Sequence, residues 1–225
     1  MDGEGSIQVN HWRFKYLQYR LVIKLKYCPE NIAMLNLIAN HIGGKVNIIG
    51  NNNFVIWVVN DKNHIRKIIQ IFNSYPPLTS RLRSQLAFML ECFERENVEW
   101  YLNSRNKKYN ETAYASVNGR VVNIAYFNEW LSGFIEAEGC FSIRIKSNHS
   151  FSIGQNDDKY LLDTIKTHFE IKSQVTLRER KINQRFWFIE TYRKSTLVNI
   201  INHCIKYPLL GEKVLSFTKF KNLFL

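Results

Sequence analysis

The chain repeats itself, and this limits the folds open to it more than any other feature. MDGEGSI (1–7) and IEAEGCF (135–141) share the order acid, small residue, Glu, Gly, small residue, apolar residue, with Glu4 and Glu138 134 residues apart. KNHIRKIIQIFNSYPPLTSR (62–81) is followed at an offset of 132 by KSTLVNIINHCIKYPLLGEK (194–213). Tyr75-Pro76 then falls over Tyr207-Pro208, Leu78 over Leu210, and Arg81 over Lys213. Between these segments, NIAMLNLIANHIGG (31–44) resembles KYLLDTIKTHFE (159–170), each with a His (His41, His168) near its end. The same punctuation in the same order predicts one unit present twice. At about 100 residues the unit is far longer than a solenoid repeat.

Periodicity sets the content of each unit. In RFKYLQYRLVIKLKY (13–27), Leu21, Ile23 and Leu25 alternate with Arg20, Lys24 and Lys26, the pattern of a half-buried strand. KVNIIGNNNFVIWVV (45–59) reads as two strands around an Asn/Gly turn. QVTLRERKINQRFWFIETYR (174–193) reads as a second hairpin. Pro29 and Glu30 suit the start of a helix near 31–42. Each half therefore reads helix, two strands, helix, two strands, helix, an α+β fold of two αββαββα repeats related by a pseudo-two-fold axis. The expected boundaries are 1–103 and 121–225. The polar stretch 104–120, SRNKKYNETAYASVNGR, is the expected linker.

Charge narrows the partners. Lys and Arg number 31 against 19 Asp and Glu, a formal net charge of +12. Such an excess points to a polyanion, nucleic acid before an anionic membrane. The open face of each sheet is expected to carry Arg13, Lys15, Arg20, Lys24 and Lys26 in the first half, with Trp12, Tyr16 and Tyr19 among them. In the second half it is expected to carry Arg144, Lys146, Arg178, Arg180 and Arg185. A β-ribbon of this kind fits the DNA major groove. No apolar run reaches the length of a membrane span. Cys28, Cys92, Cys140 and Cys204 stand far apart, with no metal-binding spacing, and read as buried thiols in a reducing compartment.

WLSGFIEAEGCFSI (130–143) places Glu136 and Glu138 in the last turn of a helix ending at Gly139. Acids there meet the negative end of the helix dipole, so some other role must retain them. Gly133 and Ala137 sit four apart, a spacing that lets helices approach closely. Glu4 and Glu138 would then face each other across the pseudo-axis, and a divalent cation would relieve their repulsion.

LSGFIEAEG (131–139) resembles the LAGLIDADG motif, and MDGEG (1–5) resembles the end of a second copy. The chain is similar over nearly its whole length to single-chain LAGLIDADG homing endonucleases, especially the fungal mitochondrial endonuclease/maturase branch. The resemblance implies a saddle over double-stranded DNA, a monomeric, intron-encoded enzyme of the mitochondrion, and Mg²⁺- or Mn²⁺-dependent cleavage leaving short 3′ overhangs. It implies Glu4 and Glu138 as the metal-binding acids, with metal contacts from Gly3 and Ala137 beside them. Arg81 and Lys213 would be cations at the edge of the active site, and Gln155 a polar residue near the cleft. Asp2 and Glu136 would serve in packing or capping.

Only Met1, Asp2 and Gly3 precede Glu4, and three residues cannot nucleate a helix; two expectations stand, a fragment of a longer reading frame or, in a complete chain, Glu4 on a loose terminus with a broken first half-site. The alternative function is an RNA maturase assisting a group I intron, either non-cleaving or bifunctional. A DNA-binding regulator on the same scaffold is a third.

Overall fold

A computed structural model describes residues 1–109, 124–144, 148–181 and 184–224. The chain divides into two compact units, Met1–Ser116 and Val117–Leu225.

In the first unit, β1 (Gly5–Trp12), β2 (Tyr16–Lys26), β3 (Lys45–Ile49) and β4 (Phe54–Val59) form an antiparallel sheet in the order β1-β2-β4-β3. Helix α1 (Pro29–Ile42) links the two hairpins; α2 (Lys62–Ser74), α3 (Ser80–Arg95) and the short α4 (Val98–Ser104) follow. Pro29 occupies the first turn of α1, where a missing N–H costs nothing. Gly50, Asn51 and Asn52 all take positive φ in the β3–β4 turn, as the Asn/Gly signal predicts.

The alternation in β2 is as read. Leu21 and Ile23 join Val55, Trp57, Val59, Ile65 and Leu82 in the core beneath the helices. Two expectations change. Arg13 and Lys15 lie in the β1–β2 turn rather than in a strand. Tyr19 belongs to the core: it is buried, stacks on Phe93 at 4.0 Å, and its hydroxyl donates to the Cys92 carbonyl. Nor is the outer face uniformly basic, since Val22, Ile56 and Val58 form a small buried cluster there.

The second unit repeats the strand and crossover order but opens on a helix, where the expected opening helix of the first half is only a turn at residues 2–4. Helix α5 (Phe127–Glu138) leads into β5 (Gly139–Ser142) and β6 (Ser150–Asn156). Then come α6 (Lys159–His168), β7 (Thr176–Lys181), β8 (Gln184–Thr191), α7 (Lys194–Lys206) and α8 (Lys213–Lys221). The sheet order is β5-β6-β8-β7, the same pattern as in the first unit. Phe141, Phe151, Phe217 and Phe220 fill the space between sheet and α8, with ring centroids 5.2–5.4 Å from Phe141.

Where one closing helix was expected, each half has two flanking the Tyr-Pro segment, which breaks the run, and the first half adds the short α4. Tyr75 caps α2 at φ −130, ψ 70, and Tyr207 caps α7 at φ −122, ψ 84. The following Pro removes a helical donor and disfavours α geometry before it. Of the expected linker, 104–109 stay with the first unit, where the Tyr109 hydroxyl accepts from Gln85; 110–120 lie outside the described residues. Cys92 and Cys204 are buried, Cys28 is half-buried and Cys140 is exposed, so the expectation of four buried thiols is corrected at Cys140. Burial, then Glu91, pushes the Cys92 thiol up to about 12; burial, then Glu136, does the same to Cys204.

Candidate active site and nucleic-acid face

The two acidic turns have the same construction. Gly5 N–H donates to the Met1 carbonyl at 2.7 Å, and Gly139 N–H donates to the Ile135 carbonyl, each closing one α-turn. A Cβ on Gly5 would stand 2.6 Å from the Met1 oxygen, and one on Gly139 2.7 Å from the Ile135 oxygen. The turn itself thus requires glycine after Glu4 and Glu138. Gly133 is different: within its own unit a Cβ there would meet nothing within 4 Å.

The earlier acid of each pair is structural. Glu136 accepts the backbone N–H groups of Leu210 (3.2 Å), Gly211 (3.0 Å) and Lys213 (2.9 Å), at the entrance to α8. Asp2 accepts those of Leu78 (3.1 Å) and Thr79 (2.9 Å), plus the Thr79 hydroxyl at 2.6 Å, at the entrance to α3. These N–H groups belong to helix starts that lack intrahelical acceptors, where a carboxylate is favoured. The loose first turn expected from helix nucleation is therefore corrected. Groups more than 70 positions away in sequence, the Thr79 N–H and the Arg81 guanidinium among them, hold residues 2–5. Thr79 was not foreseen; its place as N-cap before SRLRSQL was the available signal.

Glu4 is exposed and Glu138 half-buried, each one residue before its glycine. With the Gly3 and Ala137 carbonyls beside them, each turn offers oxygen donors alone, the donor type that hard divalent cations prefer. Among the described residues, no group of three or more His, Cys, Asp or Glu gathers as a ready metal cage. Such a cation would need further oxygens from outside these turns.

Arg81 and Lys213 occupy matching positions and do different things. Arg81 Nη1 donates to the Gly5 carbonyl at 2.8 Å, and Nη2 to those of Asp2 and Gly3 at 3.0 Å each. Lys213 gives its backbone N–H to Glu136, while its ammonium has no hydrogen bond or ion pair among the described residues. Gln155 is buried on β6, opposite Trp187, and its side-chain oxygen accepts from Asn156 N–H.

The strand registers sort the basic residues. Arg20, Lys24 and Lys26 share the outer face of the first sheet with Gln8 and Phe54, opposite Arg20 and Lys26 respectively. Lys24 Nζ lies 4.0 Å over the Phe54 ring. In the second sheet, Arg178 pairs with Phe186 and stands 3.5 Å over Phe188. Arg185 pairs with Glu179, one position off, so it faces away from Arg178; the expectation of a shared face is corrected by the period-two pleat. Arg144 lies just beyond β5 and is tied to Glu190 (3.1 Å) and Tyr192 (3.3 Å). Arg180 is on β7, and Lys146 lies outside the described residues.

At the β1–β2 tip, Arg13 (φ 47) and Phe14 (φ 58) are the central residues of a turn closed by Lys15 N–H to the Trp12 carbonyl at 2.8 Å. Trp12, Phe14 and Tyr16 are 45%, 68% and 52% exposed, and the Phe14 ring stacks 4.3 Å from His11. Bulky residues rarely take positive φ, so this turn holds exposed aromatics at a cost in stability.

Duplicated acidic turns, each braced on the helix after a Tyr-Pro break and set beside an antiparallel sheet with basic residues, define a two-repeat LAGLIDADG-type protein. The chain belongs to the LAGLIDADG endonuclease family, whose pattern matches residues 1–92 and again 131–224. A probable intron-encoded endonuclease aI3 of Dictyostelium citrinum is 46% identical over 228 residues, covering 100% of this chain and 92% of the relative. A protein of the same description from Debaryomyces hansenii is 42% identical, across 98% of this chain but 36% of its own length. Among solved structures, the LAGLIDADG meganuclease I-AabMI bound to uncleaved DNA superposes with a TM-score of 0.72 at 23% identity, covering 99% of this chain and 87% of that one. A lysine-to-alanine variant of I-SmaMI gives 0.74 at 16% identity, covering 99% and 87%. At these identities the structures speak for the fold.

Proposed function

We propose that the protein is an intron-encoded, site-specific homing endonuclease that hydrolyses both strands of a long DNA target with Mg²⁺. The observation that carries this reading is the duplicated acidic turn: in both copies the first acid is consumed by backbone N–H groups while Glu4 and Glu138 follow at the turn's end. Glu4 with the Gly3 carbonyl, and Glu138 with the Ala137 carbonyl, would each offer oxygen ligands to a divalent cation. Bound there, it would activate water and neutralise charge developing on the phosphate. The chain's own part is to aim the two carboxylates, through turns fixed by Asp2 and Glu136. The Lys213 ammonium is available to a phosphate oxygen in the transition state. Lys24, Lys26 and Arg178 meet the DNA backbone, with the aromatic partners of Lys24 and Arg178 limiting their rotamers. The protein would act as a monomer in the mitochondrion, the setting of a related Saccharomyces cerevisiae protein, "Uncharacterized mitochondrial protein RF1".

The test is cleavage of an intronless duplex spanning the exon junction that flanks this reading frame. Mg²⁺-dependent cutting by the native protein, lost in both Glu4→Gln and Glu138→Gln, is the expected result. Full activity in both variants would remove the assignment.

One observation favours a second activity, assistance to group I intron RNA. The exposed rings of Trp12, Phe14 and Tyr16 suit unpaired bases better than groove edges. Splicing assistance that survives Glu4→Gln but fails in Phe14→Ala would establish it.

A further inference from the structure

Position 81 and its repeat partner 213 differ in what their side chains hold. In the first half the grip is mutual. The Asp2 carboxylate binds the backbone entering α3, and from the first turn of α3 the Arg81 guanidinium binds the carbonyls of Asp2, Gly3 and Gly5. In the second half only one direction is repeated: Glu136 binds the backbone entering α8, and the Lys213 side chain returns nothing to the turn. A planar guanidinium carries five donors in a rigid fork and can bridge several carbonyls; an ammonium is a compact point charge. A cation at the carbonyl end of a helical turn is also favoured by the turn's dipole.

We propose that Arg81 is a positioning residue for Glu4. It fixes the three carbonyls that flank Glu4, and so sets the direction of the Glu4 carboxylate and of the Gly3 oxygen, whose second lone pair stays open to a cation. Lys213 keeps its charge for the nucleic acid. The two halves therefore use one sequence position for two purposes, and the two strands of a target depend on different cations. The strand-specific part rests on the nuclease reading; the grip on the turn does not.

Amide hydrogen exchange on the metal-free full chain reads the grip directly at Gly5 N–H, which donates to Met1, with Gly139 N–H as the internal control. Arg81→Ala and Arg81→Lys are expected to speed Gly5 exchange at least tenfold and leave Gly139 unchanged. Lys213→Ala should leave both unchanged. Guanidinium ion at low millimolar concentration should restore Gly5 protection in Arg81→Ala, and ethylammonium should not. With the two strands of the exon-junction duplex labelled separately, Arg81→Lys should lower kcat on one strand about tenfold with KM unchanged, and Lys213→Ala should lower it on the other. Unaltered Gly5 exchange in Arg81→Lys, or identical strand profiles for the two positions, would overturn the proposal. Should Arg81→Ala fail to fold, Arg81→Lys, which keeps the charge, decides alone. Absence of cleavage by the native protein would sink the nuclease reading, and the exchange data would still judge the grip.

Discussion

Glu136 Oε1 accepts the backbone N–H of Lys213 at 2.9 Å, and so one acid of the α5 C-terminus becomes the cap of α8. Asp2 stands in the same relation to Thr79 at the entrance of α3. Glu136, which looked misplaced at the negative end of α5, is explained by the positive end of α8.

From this relation, Glu136→Ala should destabilise the protein by about 2 kcal/mol, since three N–H groups lose a charged acceptor. Thermal unfolding should show a midpoint lower by roughly 4–8 °C. Glu138→Gln should stay within about 1 kcal/mol of the native protein while losing activity. Equal destabilisation by both would mean that the two acids do not divide structure from chemistry.

Replacing the Arg13-Phe14 pair by Asn-Gly should stabilise the β1–β2 hairpin by about 1–2 kcal/mol, because both central residues have positive φ. The same double variant should bind nucleic acid more weakly, measured by fluorescence anisotropy. A stabilised protein with undiminished binding would show that the strained tip serves no contact.

His203 is buried, its Nε2 3.2 Å from Ser132 Oγ and its ring 5.5 Å from that of His168. Ser132 Oγ donates to the Tyr207 carbonyl at 2.7 Å, so the imidazole donates to Ser132. Burial first, then His168, pulls the His203 pKa down to about 4. The folded pKa lies below the unfolded one, so protonation favours unfolding. The stabilising contribution is complete above about pH 6.5 and is lost as pH falls toward 4. Between pH 7.5 and pH 5 the loss should approach about 2 kcal/mol in urea unfolding, and His203→Asn should flatten that dependence. A pH dependence unchanged in the variant would place the titration elsewhere.

Lys24→Ala and Arg178→Ala should each lower the salt slope of DNA binding by about one, the signature of one lost phosphate contact. Arg144→Ala should lower it less, since Glu190 already neutralises that guanidinium. Titrating binding against salt concentration checks the order, and a larger loss at Arg144 would reverse it.

Much of this protein was legible in its sequence. The offset between Glu4 and Glu138, the Tyr-Pro breaks, the alternation in β2 and the Asn/Gly turn are local or periodic signals. They revealed the duplication, the two hairpins joined by a helix in each half and the two acidic turns. Only the tertiary structure decided what equal positions do. Arg81 and Lys213 read as a matched pair, yet one reaches back across 76–79 positions to three carbonyls and the other does not. Arg178 and Arg185 read as neighbours on one face, yet a single step of register turned them apart. Helical and strand periods are set by the backbone and appear in any short window of sequence. The partner of a long side chain depends on how distant segments pack, and no window contains that.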